Sequence, residues 1–158
     1  MKKLFLTAIF CVLSALCFAQ ANLISYEDLK YLLHNNLMRA DTFMAAKGYT
    51  IKSKNDKKKT REFYLATQNG THVSLIMRAD GKRLTMELET NDISQYGMIN
   101  NSVSQYINKQ SSTPDMQAYI VKDLCSIYIT ATDSVPFDPM KKDYDMQIVA
   151  DKNVTAID

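Results

Sequence analysis

The stretch that decides the fold is TREFYLATQNGTHVSLIMRADGKRLTMELE, residues 60–89, in which two turn signals separate three alternating segments. Apolar residues recur at every second position of each segment, which is typical of strands with one buried face. Asp80-Gly81 is a strong signal for a two-residue hairpin turn. This turn predicts a register in which apolar residues oppose apolar residues: Met77 with Leu84, Leu75 with Met86 and Val73 with Leu88.

The preceding turn contains Gln68-Asn69-Gly70 and must be of another kind. A two-residue loop here would set Leu65 against Ser74 and divide the apolar residues between both faces. A three-residue loop with Gly70 in the left-handed conformation avoids this conflict, and it predicts a bulge at Gly70. The resulting register has two apolar pairs, Leu65 with Val73 and Phe63 with Leu75.

A helical segment precedes these strands. Ser25 and Asp28, three residues apart, match a capping box, and apolar residues then recur at helical spacing as far as Gly48. His34-Asn35-Asn36 interrupts this pattern, so residues 25–47 form either one helix or two short helices. In both cases the apolar side of the segment is expected to pack against a sheet.

The remaining elements complete an α+β fold with one layer of helices on an antiparallel sheet. Tyr49 and Ile51 supply an earlier strand, so residues 49–89 are predicted to form a four-stranded antiparallel meander. Asp92 and Gln95 then match a second helix start. Three further strands are predicted from their alternation, at residues 117–122, 124–132 and 144–150. The order indicates two loosely duplicated helix-plus-meander units, at about residues 23–90 and 91–152.

Residues 1–19 have the layout of a secretory signal peptide. Lys2-Lys3 precedes a largely apolar run that ends at Phe18, and the small residues Cys17 and Ala19 stand at the expected cleavage site. We predict cleavage after Ala19, which leaves residues 20–158 as a single exported domain, either periplasmic or secreted. The apolar run is shorter than the roughly 20 residues of a membrane-spanning helix, so we do not expect it to act as a stable membrane anchor. Because cleavage removes this run, we expect no stable membrane insertion of the mature protein.

Removing this peptide changes the charge and the cysteine content. The whole chain has 19 basic and 17 acidic residues, and the loss of Lys2 and Lys3 leaves a net charge of about zero. A neutral protein has no long-range attraction for nucleic acid or anionic membranes, so neither is expected as a partner. Only Cys125 remains of the three cysteines, which excludes an internal disulfide.

The end of the signal, Phe18-Ala19-Gln20, and the stretch MAAKGYTIKSKNDK at Met44–Lys57 resemble small uncharacterised exported proteins of Bacteroidetes. The resemblance covers most of the chain and implies export, but no activity comes with it. A helix pair followed by a meander, in tandem, is also similar in architecture to β-lactamase inhibitory protein and to small outer-membrane assembly lipoproteins. Both are binding proteins, so this similarity implies binding rather than catalysis.

One group of side chains suggests a hydrolase. In the predicted register, His72 and Ser74 lie on the face opposite the core, with Glu89 across from His72 and Glu87 across from Ser74. Residues two apart on a strand are about 7 Å apart, beyond hydrogen-bond reach, and no strained turn presents the serine. An ordinary solvated sheet face is therefore the better interpretation, and we expect no enzyme activity.

Cys125 alternates with Ile127, Ile129 and Ala131, which places its thiol on the apolar face of a strand. A buried free cysteine behaves as a small hydrophobic residue, and a nucleophilic thiol would need a cationic, partly exposed setting. We therefore predict that Cys125 is inert.

Four aspartates in the segment around the last two strands are weak candidates for a calcium site: Asp133, Asp138, Asp143 and Asp145. Calcium takes six to eight oxygen ligands, which carboxylates supply. However, the spacing matches no known calcium loop, and no glycine allows a tight turn. We expect neither a metal nor a cofactor.

The leading hypothesis is a non-enzymatic, exported interaction domain that binds through its open sheet face. Amphipathic aromatic and arginine side chains among polar ones suit a protein or glycan partner in the cell envelope. The residues concerned are Tyr64, His72, Ser74, Ile76, Arg78, Arg83, Thr85, Glu87 and Tyr128. A merely solvated face explains the pattern equally well. The alternatives are a small-ligand carrier with a cavity between helices and sheet, and a hydrolase that uses His72, Ser74, Glu87 and Glu89.

Overall fold

The computed structural model describes residues 22–66, 70–81, 83–136, 138, 141–152 and 154, so the predicted signal peptide lies outside the described residues. Three α-helices and seven strands make up this part of the chain. The helices are α1 (Tyr26–His34), α2 (Leu37–Ala46) and α3 (Ile93–Val103), followed by a 3₁₀ turn at Ser104–Tyr106. The strands are β1 (Thr50–Asn55), β2 (Thr60–Ala66), β3 (His72–Asp80), β4 (Arg83–Thr90), β5 (Met116–Val121), β6 (Cys125–Asp133) and β7 (Lys142–Ala150).

The seven strands form one antiparallel sheet in the order β1-β2-β3-β4-β7-β6-β5. The first four strands are the predicted meander, and β5 to β7 form a second one. The two meanders meet where β4 pairs with β7. The predicted α+β class, with helix and meander followed by helix and strands, is confirmed.

The helices lie against one face of this sheet and share a single core with it. That face presents alternate apolar residues, including Phe63, Leu75, Met77, Met86, Leu88, Ile127, Met146 and Ile148, all buried. The helices contribute Leu29, Leu32, Leu33, Ala40, Met44, Ile99 and Val103 to the same cluster. Full burial of each larger apolar side chain stabilises the fold by about 1.5–3 kcal/mol. No helix within the described ranges is both long and apolar enough to cross a membrane.

The predicted register between β2 and β3 is confirmed. Leu65 pairs with Val73 and Phe63 pairs with Leu75. Gly70 has a φ of +76°, in the left-handed region that favours glycine. Residues 67–69 lie outside the described part of the chain, so the predicted bulge is not described.

The predicted register between β3 and β4 is wrong by two residues. Asp80 pairs with Arg83, so only two residues connect the strands, and the first of them is Gly81 with a φ of +58°. Hairpin turns of this length need a positive φ at the first connecting position, which glycine adopts more easily than aspartate. The observed apolar pairs are Met77 with Met86 and Leu75 with Leu88, while Val73 lies opposite Thr90.

The helical segment forms two helices. Ser25 and Asp28 make the predicted capping box: the Asp28 amide donates to Ser25 Oγ (3.2 Å), and the Ser25 amide donates to Asp28 Oδ2 (2.7 Å). The chain is extended at Asn35 and Asn36, and Asn36 begins α2 by accepting a hydrogen bond from the Arg39 amide (3.0 Å). Asparagine favours such N-cap positions because its side chain competes with the helical backbone.

Arg61 joins α2 to β2, the strand next to the edge of the sheet. Its side chain is almost buried, and its Nε donates to Asp41 Oδ1 of α2 at 2.9 Å. Its terminal nitrogen also donates to Asp56 in the turn between β1 and β2, at 2.6 Å. A buried charge is tolerated only when it is paired, so these contacts determine where α2 meets β2.

Gln95 has a role that differs from the predicted helix start. Asp92 alone caps α3 through the Ser94 amide (2.8 Å), and the Gln95 side chain turns into the core. Its Oε1 accepts from the Ile24 amide at 2.8 Å, and its Nε2 donates to the Ile24 carbonyl at 2.7 Å. One side chain thus satisfies both backbone groups of a buried residue and ties the chain before α1 to α3.

We expect Gln95→Leu to lower the free energy of unfolding by about 2–4 kcal/mol, because it leaves the buried Ile24 amide and carbonyl unpaired. Urea unfolding followed by circular dichroism measures the change. Gln105→Leu is the matched control, since Gln105 is exposed in the 3₁₀ turn. Equal stability of the two variants would contradict the proposed role of Gln95.

Candidate functional site

The sheet face turned away from the helices, here called the outer face, carries all nine residues of the predicted binding face. Side chains alternate along each strand, so the residues that neighbour core positions point to this face. The register arranges them in rows across the sheet. One row is Arg78, Thr85, Val149 and Ser126; the next is Glu62, Ile76, Glu87, Gln147 and Tyr128; a third is Tyr64, Ser74, Glu89, Asp145 and Thr130.

The centre of the outer face is a shallow depression that the sequence identified only in part. Its outer-face lining comes from β3, β4 and β7: Ile76, Arg78, Thr85, Glu87, Gln147 and Val149. The β7 residues were missed. Their alternation within residues 144–150 predicted a strand, but nothing local indicated that this strand pairs with β4. Non-adjacent strand pairing is a property of the tertiary topology.

Tyr64 forms the aromatic part of the face at β2. Its ring stacks against the His72 ring with centroids 6.1 Å apart, and Lys52 Nζ lies 5.5 Å from its ring centroid. Lys52 also contacts Glu62 at 3.2 Å. The tyrosine ring therefore contacts both a histidine ring and a cation, and these contacts restrain its orientation.

Four carboxylates cluster where the two meanders meet, and we call them the acidic seam: Glu87 and Glu89 on β4, and Asp143 and Asp145 on β7. Glu89 and Asp145 oppose each other directly across the strands. Within the described ranges, none of the four forms a salt bridge. Like charges placed opposite each other on a sheet are destabilising.

The surroundings of the acidic seam favour protonation of two of its members. Burial, followed by the charges of Asp145 and Glu89, raises the pKa of Glu87, and Arg78 opposes this shift only partly. Burial also raises the pKa of Asp145, against a hydrogen bond from Gln147. Asp145 Oδ1 is closed off from solvent and has no hydrogen-bond partner among the described residues.

The predicted hydrolase arrangement is not assembled in the described structure. Ser74 lies opposite Glu89 rather than Glu87, and Glu87 lies opposite Ile76, because the β3–β4 register differs by two residues from the predicted one. Ser74 is only 9% exposed, and no hydrogen bond joins its hydroxyl to the His72 ring. A serine nucleophile needs contact with its base, and among the described residues the Ser74 hydroxyl has no such contact with His72.

The four aspartates considered for calcium do not form a common site within the described ranges. Asp133 pairs with Lys142 at 2.9 Å, and Asp138 pairs with Lys141 at 3.6 Å. Asp145 belongs to the outer face instead. Among the described residues, no three His, Cys, Asp or Glu side chains are placed to hold a metal ion together.

A second concave surface lies between α1 and α2 on their exposed side. Tyr31 stacks on Phe43 with ring centroids 4.6 Å apart, and Met38 is 71% exposed beside them. The polar rim consists of Asn35, Asn36, Arg39 and Thr42. Phe43, one of the apolar residues at helical spacing before Gly48, is only partly buried and lies at the edge of this groove.

The comparisons with known proteins find no match: no protein-family model matches the sequence, and no curated protein or solved structure is significantly similar. The resemblances inferred from the sequence therefore stay predictions.

Cys125 is 1% exposed, and burial, assisted by the charge of Asp151, raises the pKa of its thiol to about 12. We expect a charged thiol reagent to leave native Cys125 unmodified and to label it after unfolding, because the thiolate is the reactive form. The control is Ser126→Cys in a Cys125→Ser background, since position 126 is half-buried on the outer face. Equally fast labelling of both native proteins would contradict this expectation.

The acidic seam predicts a pH dependence of stability. The usual pKa values are 4.5 for Glu87 and 3.8 for Asp145, and both are raised in the fold. The folded state then binds protons more tightly than the unfolded state, so ionisation above about pH 4 lowers the free energy of unfolding. We expect Glu87→Gln/Asp145→Asn to be more stable than the wild type at pH 7, with the gain disappearing in acid.

Chemical denaturation at a series of pH values measures this difference. The matched control is Glu27→Gln/Asp115→Asn, which removes two exposed carboxylates away from the outer face. A gain at pH 7 that is equal in the control, or that persists undiminished in acid, would show that the acidic seam is not its source.

Proposed function

We propose that this protein is an exported, non-enzymatic binding domain that takes a protein or glycan partner on its outer face. The observation that carries the proposal is the one-sided covering of the sheet. All three described helices contribute their apolar residues to the core on one face. The opposite face presents partly buried aromatic and apolar side chains, namely Tyr64, Ile76, Tyr128 and Val149.

The composition of this face favours binding over simple solvation. Tyrosine and arginine are enriched among the residues that dominate binding energy, because they combine apolar surface with hydrogen-bonding groups. Tyr64, Tyr128 and Arg78 all lie on the outer face, and Tyr64 is already oriented by His72 and Lys52. An oriented side chain loses little entropy when a partner binds.

The two alternatives have less support. A hydrolase would need an accessible nucleophile in contact with a base, and Ser74 is nearly buried without a bond to His72. A ligand carrier would need a cavity between helices and sheet. The depressions described above lie instead on the outer face and on the exposed side of α1 and α2.

The export part of the proposal is supported by the charged start, the apolar run and the small residues that end at Ala19. The resemblance to exported proteins of Bacteroidetes agrees with it. A periplasmic or secreted location places an envelope protein or an envelope glycan within reach of the outer face.

Site-specific photo-crosslinking in the exporting cell tests the proposal. We expect a benzophenone amino acid at position 64 or 128 to capture one envelope partner, because both tyrosines lie on the outer face. The same group at position 31 is the control, since Tyr31 is exposed on α1, away from the sheet. Capture at position 31 alone, or no capture at any position, would overturn the proposal.

A further inference from the structure

The acidic seam brings four carboxylates together on one surface, with Glu89 directly opposite Asp145. Some carboxylates elsewhere have basic partners within the chain, such as Asp28 with Lys47, Asp41 with Arg61, Glu62 with Lys52 and Asp133 with Lys142. Others among the described residues stand singly without a salt bridge, namely Asp80, Asp92, Asp115, Asp123 and Asp151. Glu87, Glu89, Asp143 and Asp145 also have no such partner within the described residues. Around the acidic seam the outer face therefore carries an excess of negative charge, which Arg78 offsets only partly, although the mature chain is about neutral.

The negative charge of the acidic seam lowers the stability of the folded protein. Glu89 and Asp145 are direct cross-strand neighbours, and Glu87 lies two residues from Glu89 on the same face. Opposed like charges destabilise a sheet, and partial burial of a carboxylate adds a desolvation cost. A cationic partner bound over these strands would reduce the repulsion among the carboxylates. This relief would add to the favourable free energy of binding.

The dimensions of the acidic seam suit a single extended chain. Side chains that share a face are about 7 Å apart along a strand, and neighbouring strands are about 4.8 Å apart. From Glu87 to the level of Asp143, the seam extends over four residues of β7, or about 13 Å. An extended polypeptide also repeats its side chains about every 7 Å, so alternate basic residues match the spacing of the carboxylates.

The borders of the acidic seam add apolar and aromatic contacts. Tyr128 lies beside Gln147 on the β6 side, and Ile76 lies beside Glu87 on the β3 side. Aromatic faces attract lysine and arginine side chains, and their rims cover the aliphatic parts of those side chains. Arg78 stands one row beyond Glu87 and would repel a further cation, which limits the basic part of the segment to two or three alternate positions.

We propose that the partner of this protein presents an extended, basic polypeptide segment, with lysine or arginine at alternate positions, that lies along β4 and β7 over Glu87, Glu89, Asp143 and Asp145. This proposal rests on the proposed function, because it names the chemistry of the partner that the outer face binds. It assigns the seam to a polypeptide and not to a glycan.

Fluorescence anisotropy with synthetic peptides tests the proposal. The probe is a labelled ten-residue threonine peptide with lysine at three central alternate positions, and its counterpart carries glutamate in place of lysine. We expect the mature protein to bind the basic peptide and not the acidic one, with weaker binding at higher ionic strength. The triple variant Glu87→Gln/Glu89→Gln/Asp145→Asn should weaken binding about tenfold or more.

The matched control is Glu27→Gln/Asp115→Asn/Asp123→Asn, which changes the net charge equally at exposed positions away from the outer face. It should bind the basic peptide nearly as well as the wild type. Failure of the basic peptide to bind, equal losses in both triple variants, or preference for the acidic peptide would each overturn the proposal. The triple variant of the acidic seam removes repulsion between carboxylates, so we expect it to remain folded. Circular dichroism checks this expectation.

The outcomes separate this proposal from the proposed function. Photo-crosslinking at positions 64 and 128 that captures a partner, together with no binding of the basic peptide, leaves the binding domain standing and overturns the basic segment. Competition for that partner by a neutral oligosaccharide, but not by the basic peptide, assigns the face to a glycan and also overturns it.

Discussion

The pairing of β4 with β7 is the contact on which the rest of the structure depends. It joins two meanders that are separated in the chain by α3 and by the loop before β5. Its core side aligns Met86 with Ile148 and Leu88 with Met146, which makes the two apolar surfaces continuous. The same register aligns Glu89 with Asp145 on the outer face. One set of backbone hydrogen bonds therefore determines both the core and the acidic seam.

Only one face of the sheet is covered by the described helices, because buried polar contacts hold them against that face. Gln95 ties the chain before α1 to α3 through both backbone groups of Ile24, and Arg61 ties α2 to β2 through Asp41. These buried polar contacts are satisfied only in one arrangement, so they add specificity to an otherwise nonspecific apolar packing. With every described helix committed to one face, the other face is left to solvent or to a partner.

Of the two strand registers predicted from the sequence, the one between β2 and β3 is correct and the one between β3 and β4 is wrong. Between β2 and β3, a register shifted by one residue would place Leu65 and Phe63 opposite residues of the other face of the sheet. The alternation of apolar residues therefore predicted the correct pairs. Between β3 and β4 a shift of two residues keeps every side chain on its face, so alternation could not distinguish the registers. The preference of Gly81 for positive φ decided between them. For the candidate face, the β2 to β4 residues were predictable, whereas Gln147, Val149 and Asp145 joined them only through the pairing of β7 with β4.

The sequence by itself determined which segments are helical and which are strands, and the antiparallel α+β class. It also determined on which face of the sheet nearly every strand residue lies, because these features depend on local periodicity, capping and turn chemistry. Only the tertiary structure decided that β7 lies beside β4, that Gln95 turns inward to Ile24, and that four carboxylates from two distant strands share one surface. These features depend on contacts between residues far apart in the chain. Their energies come from packing and hydrogen bonding that no local pattern encodes.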